Sequence, residues 1–120
     1  MNENAERSPH DLVPLTPAIF HIMLALADGE RHGYGIMLEV DRLTNGVIRL
    51  GPGTLYRSIQ RMLVEGLISE LKEHSDDSSD DERRRYYRLT GFGRRVARAE
   101  SERLAVLVRA AREKRFLARQ

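Results

Sequence analysis

The residues of this 120-residue chain best equipped for chemistry lie in the run GPGTLYRSIQRMLVEGLI at 51–68. Read at helical spacing, Leu55, Ile59, Met62 and Leu63 form one apolar stripe. Thr54, Tyr56, Arg57, Gln60 and Arg61 fall outside it. Hydroxyls, an amide and guanidinium forks are the groups that hold phosphates and read base edges, so this face suits a helix laid in a DNA major groove. Taken alone, the same pattern describes an ordinary surface helix. The rest of the chain has to decide.

Catalysis has little to stand on. His10, His21, His32 and His74 fall in four separate segments, none at an i,i+3 or i,i+4 spacing, and no carboxylate completes a metal set. Gly51-Pro52-Gly53 lacks the Lys-Ser/Thr ending of a phosphate loop, and Ser58 sits mid-helix with no base nearby. No catalytic residue, metal or cofactor is expected, and the chain does not read as an enzyme. Cysteine is absent, which removes disulfides and thiolate sites and fits a cytoplasmic protein. No apolar run approaches the roughly 20 residues that span a bilayer, and the polar start MNENAERSPHDLVP has no secretory apolar core. The isoelectric point near 9.3 matters less than where the charges lie.

The elements that would position this face follow from the patterning. Residues 1–14 have no periodicity and are expected to form a flexible arm. Leu15-Thr16-Pro17 is a helix start, with Thr16 as N-cap, and Ile19, Phe20, Ile22, Met23, Leu24 and Leu26 predict a helix buried on most sides until Asp28-Gly29. His32-Gly33-Tyr34-Gly35 leads into a second helix with Ile36, Met37, Val40 and Leu43 on one face, closed by Asn45-Gly46. Residues 47–50 form a β-branched run, either a connector or a small strand. Helix 52–65 comes third, with Pro52 near its start, Thr54 able to cap free amides and Gly66 as a left-handed stop.

Two β-capable runs, 67–72 and 85–89, then flank a polar segment and make a hairpin with a long tip at 73–83. Thr90 caps a last helix running through Val96, Leu104 and Leu107 toward Leu117. The fold class is therefore mainly α with a small β-hairpin. Three helices and a hairpin are the order of a winged helix-turn-helix, here over 15–90, with a long helix at 91–120.

At this point the chain resembles the PadR family of winged-helix transcriptional regulators. The match rests on Leu15-Thr16-Pro17, Gly33-Tyr34-Gly35-Ile36, Gly53-Thr54-Leu55-Tyr56, Arg61-Met62, Glu65-Gly66-Leu67-Ile68, and Tyr87-Arg88-Leu89-Thr90 with Gly93. The resemblance implies a dimeric DNA-binding repressor released by a small molecule, of the short branch with a single C-terminal helix.

On that basis Thr54, Tyr56, Arg57 and Arg61 are the expected DNA contacts, joined by Tyr34 at the start of helix two. Packing of Tyr34 and Tyr56 partly into the core is the alternative. Arg83, Arg84 and Arg85 on the wing suit backbone or minor-groove contact. Directly before them stand Asp76, Asp77, Asp80, Asp81 and Glu82, which phosphate would repel; this tip is either a solvated loop or a shield over the arginines. Leu104, Leu107, Val108 and Ala111 form an apolar patch on the last helix, expected to meet its counterpart in a homodimer. The partners are then double-stranded DNA, a second copy and a small-molecule effector, with no membrane. A winged-helix adaptor that binds protein and not DNA is the competing reading.

Overall fold

The computed structural model describes residues 7–71 and 85–118. Residues 1–6 and the whole expected wing tip, with Arg83, Arg84 and the acidic run, lie outside the described residues. Among the described residues there are four α-helices and a three-stranded sheet.

Helix α1 (Pro17–Ala25) begins as its sequence predicts: Thr16 Oγ1 accepts the Ile19 N–H at 3.2 Å, and Pro17 occupies the first turn. Ile22, Met23, Ala25 and the following Leu26 are almost completely buried, whereas Leu24 points outward. Strand β1 (Arg31–His32) follows, then α2 (Gly33–Leu43). The side chain of His32 is the cap of α2, its Nδ1 accepting the Gly35 N–H at 3.0 Å. Ile36 and Val40 are fully buried, while Leu43, expected on the same face, is exposed. Asn45 and Gly46 both take the left-handed conformation that ends α2, with Gly46 donating back to the Asp41 carbonyl at 2.8 Å. The 47–50 run is a connector and not a strand.

Helix α3 (Pro52–Val64) has Gly51 as N-cap without a side-chain bond; Thr54, expected to cap it, lies inside the first turn. Leu55, Ile59 and Met62 form its buried stripe. Gly66, with φ 77°, turns the chain so that Leu67 N–H reaches the Met62 carbonyl at 2.9 Å. Strands β2 (Ile68–Leu71) and β3 (Tyr86–Leu89) pair antiparallel, Ile68 opposite Leu89 and Leu71 opposite Tyr86.

The expected hairpin is thus one strand short. β1 pairs with the free edge of β3, Arg31 opposite Tyr87 and His32 opposite Tyr86, giving the order β1-β3-β2. Alternation along β3 buries Tyr87 and Leu89 and leaves Arg88 exposed. Burial raises the Tyr87 phenol above its ordinary pKa, and Glu70 adds to the shift.

Helix α4 (Gly91–Glu113) starts at Thr90, whose Oγ1 accepts the Gly93 N–H at 2.9 Å and donates to the Gly66 carbonyl at 2.7 Å. A Cβ on Gly93 would run into the Leu67 carbonyl oxygen, so only glycine lets α4 lie this close to the start of β2. The helix stops at Glu113, short of the expected 120. Arg115 adopts a left-handed φ of 66° and Phe116 N–H returns to the Ala111 carbonyl at 2.8 Å.

The N-terminal segment departs most from expectation. Within the supposed flexible arm 1–14, Pro9–Leu12 form a 3-10 turn with a reciprocal cap between Ser8 and Asp11. The turn packs along α4, and Leu12, Val13 and Leu15 extend the core. That apolar contact is why the segment is held.

Candidate nucleic-acid interface

On α3 the buried stripe leaves Thr54, Tyr56, Arg57, Gln60 and Arg61 exposed, as the helical spacing predicts. The helix carries no acidic residue from Pro52 to Val64, so its outward field is positive. Arg57 makes no ion pair among the described residues and sits near the middle of this face. Arg61, two-thirds exposed, holds only a loose contact of 3.5 Å from its Nε to Glu65. Val64, at 82% exposure, ends the face with an apolar tip.

Tyr56 stands on the flank facing α2. Its hydroxyl rests against Gly33, where a Cβ would collide with it. The phenol therefore braces α3 on α2 while remaining 48% exposed, and packing and contact coexist in one side chain. Tyr34, next to Gly33 and 62% exposed, stands free at the α2 N-terminus, beside amides able to hold a phosphate. Arg85 Nη1 reaches Glu70 at 3.1 Å across the base of the wing. Of the expected contacts, Tyr34, Thr54, Tyr56, Arg57 and Arg61 thus cluster on the helix-turn-helix, and Arg85 stands apart on the sheet.

The expected dimerisation patch is divided. Leu107 and Val108 are exposed, at 54% and 41%, whereas Leu104 and Ala111 are half-buried. Leu107 continues the line of Gly93, Val96 and Glu100, which the domain covers further up the same helix. Glu100 is a functional-looking group that the sequence concealed. It is buried, bonded by Arg103 at 2.8 and 2.9 Å, and also accepts the Leu15 N–H. These bonds, Arg103 foremost, hold its carboxyl below the ordinary value despite the opposing effect of burial. The roles of Arg7 and Gly33 were equally illegible, since one depends on a partner distant in sequence and the other on a close approach by Tyr56.

A profile of the transcriptional regulator PadR-like family matches residues 22–99, from the middle of α1 into α4. The chain belongs to the PadR-like family. Two curated relatives agree in extent. An uncharacterized 37.1 kDa protein of transposon TN4556 from Streptomyces fradiae is 34% identical over 86 residues, 72% of this chain and 22% of that protein. An uncharacterized protein of Lysinibacillus sphaericus is 32% identical over 73 residues, 61% of this chain and 64% of the other. The chain therefore matches less than two thirds of the length of either.

Solved structures share the winged-helix fold. A PadR family transcription regulator from Clostridium difficile superposes with a TM-score of 0.65 at 23% identity, covering 80% of this chain and 95% of that one. A transcriptional regulator from Clostridium thermocellum gives 0.68 at 22%, covering 80% and 87%. Bacillus subtilis PadR in complex with operator DNA gives 0.59 at 19%, covering 76% and 48%. As in these PadR-like folds, α2 and α3 form the helix-turn-helix and β2 and β3 the wing. Among the described residues no helix is long and apolar enough to cross a membrane.

Proposed function

We propose that this PadR-like chain is a cytoplasmic, dimeric repressor that seats α3 in the major groove of a near-palindromic operator. The observation that carries the reading is the acid-free outward face of α3, with Thr54, Arg57, Gln60 and Arg61 exposed opposite a fully buried stripe. Arg57 is the base-reading candidate, since a guanidinium fork matches guanine bidentately. Tyr34, at the α2 N-terminus, and Thr54 hold phosphates, and wing arginines including Arg85 add backbone contact. The exposed continuation of the α4 stripe through Leu107 supports pairing of two copies. Their recognition helices would then meet half-sites about one helical turn apart, roughly 34 Å. A small-molecule effector would act by shifting that spacing. With no tryptophan in the chain, such a ligand is not a flat aromatic stacked between indoles.

A gel-shift against the DNA upstream of its own gene, titrated with salt, tests this reading. Arg57→Ala should lose roughly 1–3 kcal/mol of affinity and relax base preference at one position per half-site. Wild-type affinity in both Arg57→Ala and Arg61→Ala would favour a protein-binding adaptor instead.

A further inference from the structure

Two guanidinium groups converge on Glu65, the acid at the C-terminal end of α3. Their holds are unequal. Arg61 touches it at 3.5 Å from an exposed position, a pairing that solvent screens heavily. Arg7 comes from the N-terminal segment, 58 residues away, and is held on several sides. Its Nη1 donates to Glu65 Oε1 at 2.9 Å, and its Nη2 donates to the Glu65 backbone carbonyl at 2.6 Å. That carbonyl belongs to the helix end, where carbonyls lack intrahelical partners. The Arg7 guanidinium also lies 4.9 Å from the centroid of the Phe92 ring at the start of α4.

We propose that Arg7 is a positioning residue for the DNA contact of Arg61. The inference rests on the DNA-binding reading above and adds to it the residue that makes Arg61 available. A helix C-terminus is already negative, and Glu65 adds a full charge there. Left unneutralised, that carboxylate would draw Arg61 back along the helix and repel an approaching phosphate. Arg7 supplies the neutralising charge from outside the recognition helix, binding one carboxylate oxygen and the helix-end carbonyl together. Arg61 keeps only the loose contact, which it can exchange for a phosphate or a base edge. A cleft of about 80 Å³ lined by Arg61, Glu65, Leu12 and Leu15 leaves the side chain room to move.

The test is an epistasis series on the full chain, read by fluorescence anisotropy with a duplex from upstream of its own gene, with thermal melts alongside. Arg7→Ala should weaken binding about tenfold, the scale of one charge-assisted hydrogen bond. Adding Glu65→Gln should restore it to within about threefold of wild type, because the trap for Arg61 is gone. In an Arg61→Ala background, Arg7→Ala should change affinity by less than about twofold. A merely structural Arg7 would lower affinity equally in all three backgrounds, and that result overturns the proposal. If Arg7→Ala does not fold, Glu65→Gln alone decides: binding at least as tight as wild type supports the trap, and weaker binding overturns it. A wild-type protein that ignores DNA overturns the DNA-binding reading and this one with it, whereas a wild type that binds but shows no epistasis removes this one alone.

Discussion

Glu100 is an acid buried in the first half of α4, and its environment makes the fold sensitive to pH in a definite direction. Arg103 and the Leu15 N–H bond its charged form, so its carboxyl titrates below 4.5 when folded and near that value when unfolded. A lowered carboxylate adds stability that is present above the unfolded value and is lost as pH falls from 4.5 through the folded one. Glu100→Gln keeps an acceptor for Leu15 and removes the titration. Urea melts of the variant should therefore show a flatter decline than wild type as pH falls below 4.5. Equal slopes in that window would mean that other carboxylates dominate acid unfolding. The sequence hid this group because one more glutamate in an arginine-rich helix looks like a solvated face. It is buried where the segment before α1 returns along α4.

The elements meet at one knot. Thr90 bonds the Gly66 carbonyl, Gly93 lies against Leu67, and Leu67 itself closes the end of α3. Gly93→Ala would place a methyl group on a backbone oxygen that cannot rotate away. A loss of at least about 2 kcal/mol is expected, and a fall in melting temperature on the order of 10 °C. A melt within about 2 °C of wild type would show that α4 can slide to accommodate the methyl.

How legible each element was follows from where its stabilisation comes from. α1 and α3 could be read because proline starts, apolar spacing and a left-handed stop are local signals, as at Pro52, Leu55, Ile59, Met62 and Gly66. β1 could not. Two residues, Arg31 and His32, become a strand only by pairing with Tyr87 and Tyr86, 56 and 54 residues further on. The 3-10 turn at Pro9–Leu12 was missed for the same reason, being held by contact with α4. Within the candidate site, the outward face of α3 was legible from periodicity. The Arg7 clamp and the Tyr56 brace on Gly33 were not, since both lie between elements.

At the scale of the whole molecule, the exposed Leu107 is where a second copy would meet α4. The line of α4 that the domain covers at Gly93, Val96 and Glu100 emerges as the exposed, apolar Leu107, as expected where a helix leaves its own domain for a partner's. Leu107→Glu should convert a dimer into monomers in sedimentation velocity. With the two recognition helices no longer tethered, operator affinity should fall by about two orders of magnitude or more. A Leu107→Glu protein that stays dimeric would place the seam elsewhere on the surface.

The knot at Thr90 has a mechanical consequence if the protein does pair through α4. Because α4, β2 and the end of α3 are joined there without slack, the stretch of α4 from Thr90 to Leu107 acts as a rigid lever about 26 Å long, fixed beside the end of α3 and loaded at the seam. A rotation of about 8° at the seam would swing the other end through roughly 3.5 Å, close to the rise of one base pair. Small adjustments between two copies would thus be amplified into whole steps along the DNA.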